Sequence, residues 1–281
     1  MKRFYITNLF FIFLFAYTTL YANAKVATSS TFAPGEELTY NVHLNFMNLS
    51  AGTAIMSVDK TLHTINEKPC YKIDVRGTTS GALSMFGIKV DNLYGTYLDT
   101  QSLLPHLFFH HAHENEYMHK AIYHFKHQQG VALIEELDNV TKQIKCKKEF
   151  TIPNNAQDLV SAYYALREID TNQLKIGAKL PLLNVFFQGT IYDNFQIVFL
   201  GKQVLTTSLG TFKTLVFAPV LPAENGLFAG KDAVEVFISD DENKIPLKLK
   251  INFGIGAVEM DLKEYQGLKY PLQVLPKTDN K

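Results

Sequence analysis

The chain has 281 residues, nearly half of them apolar, with 27 Lys and Arg balanced by 27 Asp and Glu. That balance gives no electrostatic reason to expect a nucleic-acid partner, which calls for a strongly basic face. Two cysteines in a chain this long exclude a disulfide-dense scaffold, and the apolar content suffices for a sizeable core.

The opening Met1-Lys2-Arg3 is short and positive. Leu9 to Tyr21 is a run of mainly large apolar residues, and Ala22-Asn23-Ala24 has the small-any-small pattern that a signal peptidase accepts. As a helix the run reaches about 20 Å, short of a bilayer core of about 30 Å. Residues 1–24 are therefore expected to be a cleavable export signal, and 25–281 a single domain that is soluble and periplasmic or otherwise exported. No Cys follows the run for a lipid anchor, and no apolar stretch of about 18 residues follows for a later span.

Val26 to Pro34 reads as a loose lead-in. Leu38, Tyr40, Val42, Leu44 and Phe46 alternate with polar residues, Ser50-Ala51-Gly52 reads as a turn, and Ala54, Met56 and Val58 resume the alternation as a hairpin. Tyr71, Ile73 and Val75 mark a further strand. Gly81 to Phe86 suggests one helical turn, and Val90 to Leu98 another strand. After Pro105 come two facing strands, near 107–113 and 117–127, then 131–137 and 140–150 with a turn at Asp138-Asn139.

The period then changes. Leu159, Ala162, Tyr163 and Leu166 recur at helical spacing after Pro153-Asn154-Asn155, which can start and cap a helix, and the spacing predicts that helix over 156–168. Strands return at 179–187, 192–200, 202–206, 211–218, 233–239, 246–253 and 256–265, and the tail from Pro271 reads as loose. The expected fold is mainly β: an antiparallel sheet forming an open barrel or sandwich, with one main helix packed against it.

Certain segments together resemble a known family. They are Phe32, Pro34-Gly35-Glu36, Leu38 and Tyr40; Ala51-Gly52 and Ala54; Gln157-Asp158, Ser161 to Tyr164 and Arg167; Gly210-Thr211-Phe212, Thr214 and Pro219; and Ser239 to Asp241 with Lys244-Ile245-Pro246. The chain resembles the exported Gram-negative family catalogued as domain of unknown function 3108. The resemblance implies an exported, mostly antiparallel β domain of the cell envelope, of the open-barrel kind that lipoprotein carriers use. It brings no catalytic residue and no cofactor.

Each candidate site also has a plainer structural reading. Seven histidines crowd 106–127. His111 and His113 share a strand face, and His119 could meet them from the next strand, the best metal-ligand set the sequence offers. Against it stand the alternation of the other histidines and the lack of a zinc-enzyme spacing. On the helix, Asp158 and Arg167 fit the dipole at its two ends, and Tyr163 shares a sheet-facing side with Leu159. Ser161 lacks the strained elbow of a nucleophile. Lys142, Lys145, Lys147 and Lys148 read as a solvated strand face, and Asp240 to Asn243 as a solvated turn without calcium-loop spacing. Cys70 and Cys146 are left open as a disulfide, since their strand phases differ.

Leu182 to Phe187 and Val198 to Leu200 are apolar on both strand faces. Such strands are covered by the helix, or else line an apolar pocket. Three functional classes follow: a non-enzymatic envelope protein binding an apolar or lipid- or glycan-linked ligand; an interaction or scaffold module pairing through a sheet edge; and a hydrolase using the histidine-rich hairpin.

Overall fold

The computed structural model describes residues 29, 31–45, 49–180, 183–220, 234–253 and 256–276. The expected export signal and Phe46 lie outside them. The strands, in chain order, are β1 (Glu37–Leu44), β2 (Leu49–Val58), β3 (His63–Ile65), β4 (Lys68–Thr79), β5 (Asp91–Asp99), β6 (Pro105–Glu114), β7 (Tyr117–Lys126) and β8 (Val131–Leu137). They continue with β9 (Ile144–Thr151), β10 (Leu183–Phe187), β11 (Thr190–Thr207), β12 (Gly210–Val220), β13 (Val234–Ser239), β14 (Pro246–Phe253) and β15 (Gly256–Gln266). Among the described residues the helical elements are a single turn, α1 (Ala82–Met85), a 3-10 turn (His127–Gln129) and the main helix, α2 (Leu159–Arg167).

All the strands join one antiparallel sheet. Its path runs from β10 to β15 in chain order, crosses to β1, and continues to β9, with β3 hung on β4. The first and last strands thus meet in the middle of the sheet, and its two edges flank the connection that carries α2. Among the described residues no ladder joins β9 to β10, and the sheet is open. Its edges still approach each other: the rings of Phe150 on β9 and Phe186 on β10 lie 5.6 Å apart. Strand twist and bulges curl the layer this far. One bulge falls between Phe199 and Gly201, where Gly201 has φ 131°, so the segments read as two strands at 192–200 and 202–206 are the single strand β11. The free edge β9 carries Lys145, Lys147 and Lys148, a charge pattern that discourages edge-to-edge pairing.

Period-two alternation buries one face. Leu38 and Tyr40, Met56 and Val58, Tyr71 and Ile73, Leu98, Phe108, Tyr123 and Phe125 line the concave side. α2 lies in that concavity and fills it with Val160 and Tyr164. The helix starts at Asp158, an extended residue that acts as N-cap. Asp158 Oδ1 accepts from Val160 N (2.7 Å) and Ser161 N (2.9 Å), while Ser161 Oγ accepts from Asp158 N (2.8 Å), a reciprocal capping box. Thr96 on β5 donates to Asp158 Oδ2 (2.7 Å) and ties the helix start to the sheet. The cap is therefore Asp158, not Pro153-Asn154-Asn155.

Other expectations change for similar reasons. Ser50 to Gly52 lie inside β2, because the backbone of Thr78 approaches so closely that a Cβ on Gly52 would sit 2.2 Å from the Thr78 oxygen. The turn before β9 extends through 138–143, held by Asp138 Oδ1, which accepts from Val140 N and Thr141 N. The lead-in is anchored: Phe32 is buried edge-on against Tyr71 (5.0 Å) and Tyr164 (4.7 Å). The tail is pinned through residue 276, with Leu275 N donating to Thr211 O (2.7 Å) and Leu272 packed on the core.

Candidate functional site

The two faces of α2 do different work. Val160, Ser161, Tyr164 and Arg167 face the packed core. Arg167 is wholly buried. Its Nη1 and Nη2 donate to Glu36 Oε1 (2.5 Å) and Oε2 (2.9 Å), and its remaining donors reach Asn243 O and Thr31 O. Its guanidinium lies 5.5 Å from the Phe32 ring centre and 5.2 Å from that of Tyr164. Asn243 is itself 0 % exposed, and its side chain bonds both the N–H and the carbonyl of Tyr270 at 3.0 Å. Asn243 thus makes this turn a junction with the core, while Glu242 stays exposed and Asp240 and Asp241 are half-buried, so the expected solvated turn holds except at Asn243. Arg167 is more than a helix-end cation: it joins the lead-in, α2 and the β13–β14 turn. Glu36, Arg167 and Asp241 are among the residues that carry the family resemblance, and they converge here.

The other face of α2 looks into a hollow. Leu159, Ala162, Tyr163 and Leu166 border a cavity of about 480 Å³ whose opposite wall is Ile197 on β11, Leu215 and Phe217 on β12, and Ile238 on β13. Leu180, Phe199, Leu215 and Phe217 form a second apolar cluster on this side. β10 separates the two regions. Phe186 packs on Tyr123, Phe125 and Phe150 in the main core, and Val185 and Phe187 line the cavity. The Phe187 ring also reaches the core rings of His110 (5.6 Å) and Phe108 (6.3 Å), so β10 meets the core on one face and part core, part cavity on the other. Leu159 does not pack on the sheet with Tyr163 as its spacing suggests; it is exposed at the cavity wall. Lys244 and Arg167 are the cations in the wall, and no carboxylate lines it among the described residues.

The histidine hairpin does not assemble a metal-ligand set. In the β6–β7 register His111 pairs with Lys120, His113 with Met118, and His119 with Ala112. Opposed residues share a face, so His119 points with His110 and Ala112, away from His111 and His113. The two-residue turn at 115–116 sets this parity, which fixed spacing alone left open. His110 is buried on the concave side, stacked on Tyr94 at 4.5 Å, and burial, with His119 and His111 nearby, lowers its pKa to about 4. His124 meets Glu135 (3.3 Å), and His127 meets the Pro105 carbonyl (2.8 Å).

Two further clusters are occupied by their own chemistry. Cys70 faces Asp99 across β4–β5, and Asp99 meets His106 at 3.2 Å. Burial and the Asp99 charge push the Cys70 thiol up to about 11, which keeps it protonated and a poor nucleophile. Burial raises the Asp99 carboxyl, but N–H bonds from Ser102 and Gln101, with His106 and Lys68, outweigh it and hold the pKa at about 2. On the outer face, His43 presents Nε2 to Glu259 (3.4 Å) and Nδ1 to Asp261 (3.5 Å), two different ring edges. Lys248 bridges these carboxylates at 2.5 and 3.2 Å, so the cluster already holds a cation.

The profile of the family described as Protein of unknown function (DUF3108) matches residues 39–263, most of the chain. The chain belongs to the DUF3108 family. No curated protein matches this DUF3108 chain. Among solved structures, a β-barrel-like protein of the unknown-function family DUF1849 from Brucella abortus superposes with a TM-score of 0.51 at 11% identity, covering 85% of this chain and 99% of that one. The likeness shows that this chain has a β-barrel-like fold. A putative exported protein with a YmcC-like fold from Bacteroides fragilis (TM-score 0.32, 8% identity) and a putative lipoprotein from Parabacteroides distasonis (0.29, 10%) superpose loosely, each again over 85% of this chain and 99% of the other. Among the described residues, no helix of the DUF3108 chain is long and apolar enough to cross a membrane.

Proposed function

We propose that this chain is an exported, non-enzymatic protein of the cell envelope that holds an apolar ligand, a lipid or lipid-linked molecule, in the cavity beside α2. The cavity carries this reading. Its volume of about 480 Å³ falls in the range of small-molecule sites, and its walls are almost wholly apolar side chains. A packed domain fills its interior to near crystal density, so an apolar hollow of this size loses contacts unless something occupies it. Export is supported by Lys2-Arg3, the apolar run to Tyr21 and the Ala22-Asn23-Ala24 triplet. The non-enzymatic reading is supported by histidines divided between two sheet faces and by a Cys70 thiol held in its protonated form.

The test is to purify the protein from cells that export it, extract it with organic solvent and identify what co-purifies by mass spectrometry. The expected result is an amphiphile in near-equimolar amount. Protein that comes free of lipid, and that takes up no apolar fluorescent probe such as anilinonaphthalene sulfonate, would sink the reading.

A further inference from the structure

The cavity wall is not electrically neutral. Arg167 and Lys244 both border it, but Arg167 is neutralised by the bidentate Glu36. Lys244 has no such partner. Its ammonium donates to the Ile169 carbonyl, and among the described residues no carboxylate reaches ion-pairing distance. Glu168 and Asp170 lie farther off. Glu168 Oε1 is engaged by Ser29 and Thr31, and Asp170 Oδ1 accepts from Asn172 N. Burial, with the Arg167 charge adding to it, lowers the Lys244 pKa more than those two carboxylates raise it.

Lys244 is also held firmly in place. Its backbone is left-handed, with φ 49°, a conformation that a residue with a Cβ keeps only where its surroundings fix it. Asp241 Oδ1 accepts from the N–H groups of both Asn243 (3.0 Å) and Lys244 (3.2 Å), and buried Asn243 is clamped to Tyr270. This turn follows Ile238, which pairs with Leu215, so Lys244 stands at one end of the hollow. From Leu215 the wall continues along β12 through Phe217 to Pro219, four residues or about 13 Å at ~3.3 Å each. One end is cationic and the rest is mostly apolar, with Tyr163, Thr171 and Tyr192 the hydroxyl-bearing residues in the wall.

We infer that the cavity takes a single-chain amphiphile with an anionic headgroup, a carboxylate or a phosphate, and that Lys244 binds that headgroup while the acyl chain lies along Leu215 and Phe217 beside α2. The inference rests on the reading of the cavity as a ligand site. The ammonium would exchange its bond to one neutral carbonyl for a charge-assisted pair in a partly desolvated place, where such pairs are strong.

Calorimetric titration of the delipidated full-length mature protein with dodecanoate, dodecyl phosphate, dodecanol and dodecyltrimethylammonium tests this. One or both anions should bind about tenfold or more tighter than dodecanol, and the cation weakest. Which anion leads separates a fatty acid from a phosphate-headed lipid. Lys244→Gln should bring the anions down to the level of dodecanol and leave dodecanol unchanged, which also shows that the variant is folded. Lys244→Arg should keep the preference. Equal binding of anion and alcohol by the native protein, or a preference that survives Lys244→Gln, overturns the headgroup assignment and leaves the apolar site standing. Failure of all four probes to bind overturns both.

Discussion

Arg167 and Glu36, 131 residues apart in the chain, meet as a bidentate ion pair with no solvent contact. The pair closes the lead-in over the end of α2, and the Thr31 and Asn243 carbonyls take the remaining guanidinium donors. Removing one member leaves the other charge buried alone, which costs about 3–5 kcal/mol. Arg167→Ala and Glu36→Gln should each lower the unfolding free energy by that order, read from urea unfolding curves. The double change Glu36→Leu with Arg167→Met should cost clearly less than the sum of the two singles. Additive losses in a double-mutant cycle would show that the residues are not coupled.

Asp158 predicts a pH dependence with a definite sign. Burial raises its carboxyl from 3.8 to about 6, and the bonds from Ser161, Thr96 and Val160 only partly offset that. The folded protein therefore binds this proton more tightly than the unfolded chain does. The contribution favours folding below pH 4 and is lost as pH rises through about 6. Two units amount to about 3 kcal/mol. Asp158→Asn keeps a good N-cap residue without the buried charge. Its stability should be flatter than wild type between pH 4 and 6, as read from urea midpoints across that range; an unchanged slope would refute the assignment.

The cysteines should behave as two separate thiols. Both are free, with Cys70 buried on β4 and Cys146 partly exposed on the edge strand β9. Dithionitrobenzoate should label Cys146 in the native protein and reach Cys70 only on unfolding. Gel mobility should not depend on reductant. Rapid labelling of two thiols in native conditions would contradict the burial of Cys70.

Gly267 is a backbone requirement. It has φ 65°, and a Cβ there would fall 2.0 Å from the Gly35 oxygen. Gly267→Ala must move the chain just after β15 away from the lead-in that places Glu36. It should cost more than the roughly 1 kcal/mol of an ordinary left-handed Ala, because strain and clash add. A thermal midpoint within 1–2 °C of wild type would show that the contact yields cheaply.

Ala162 offers a way to fill the hollow. It sits on the cavity side of α2, within a helix whose cap and core contacts lie elsewhere. Ala162→Phe should keep the fold, at an overpacking cost of about 1–3 kcal/mol at most. It should abolish uptake of an apolar fluorescent probe. Undiminished uptake would place the ligand outside this cavity.

Much of the fold was legible in one dimension. Side chains alternate across a strand and recur every three to four residues along a helix, so Leu38 and Tyr40, Tyr71 and Ile73, and the Leu159–Leu166 spacing announced their elements before any contact was known. The order of the resemblance motifs pointed to the family. What the spacing could not give was parity across turns and the company each element keeps. His119 turned away from His111 and His113 because a two-residue turn set the register. Gly52 stayed in a strand because Thr78 came close, and Asn243 was buried because Arg167 needed its carbonyl. The sequence by itself determined strands, helix and export signature, which are local properties of the chain. Only the tertiary structure decided that the sheet stays open, that α2 fills one half of the concavity and leaves the other hollow, and that Lys244 faces the hollow. Those depend on contacts between residues far apart in the chain, which no periodicity encodes.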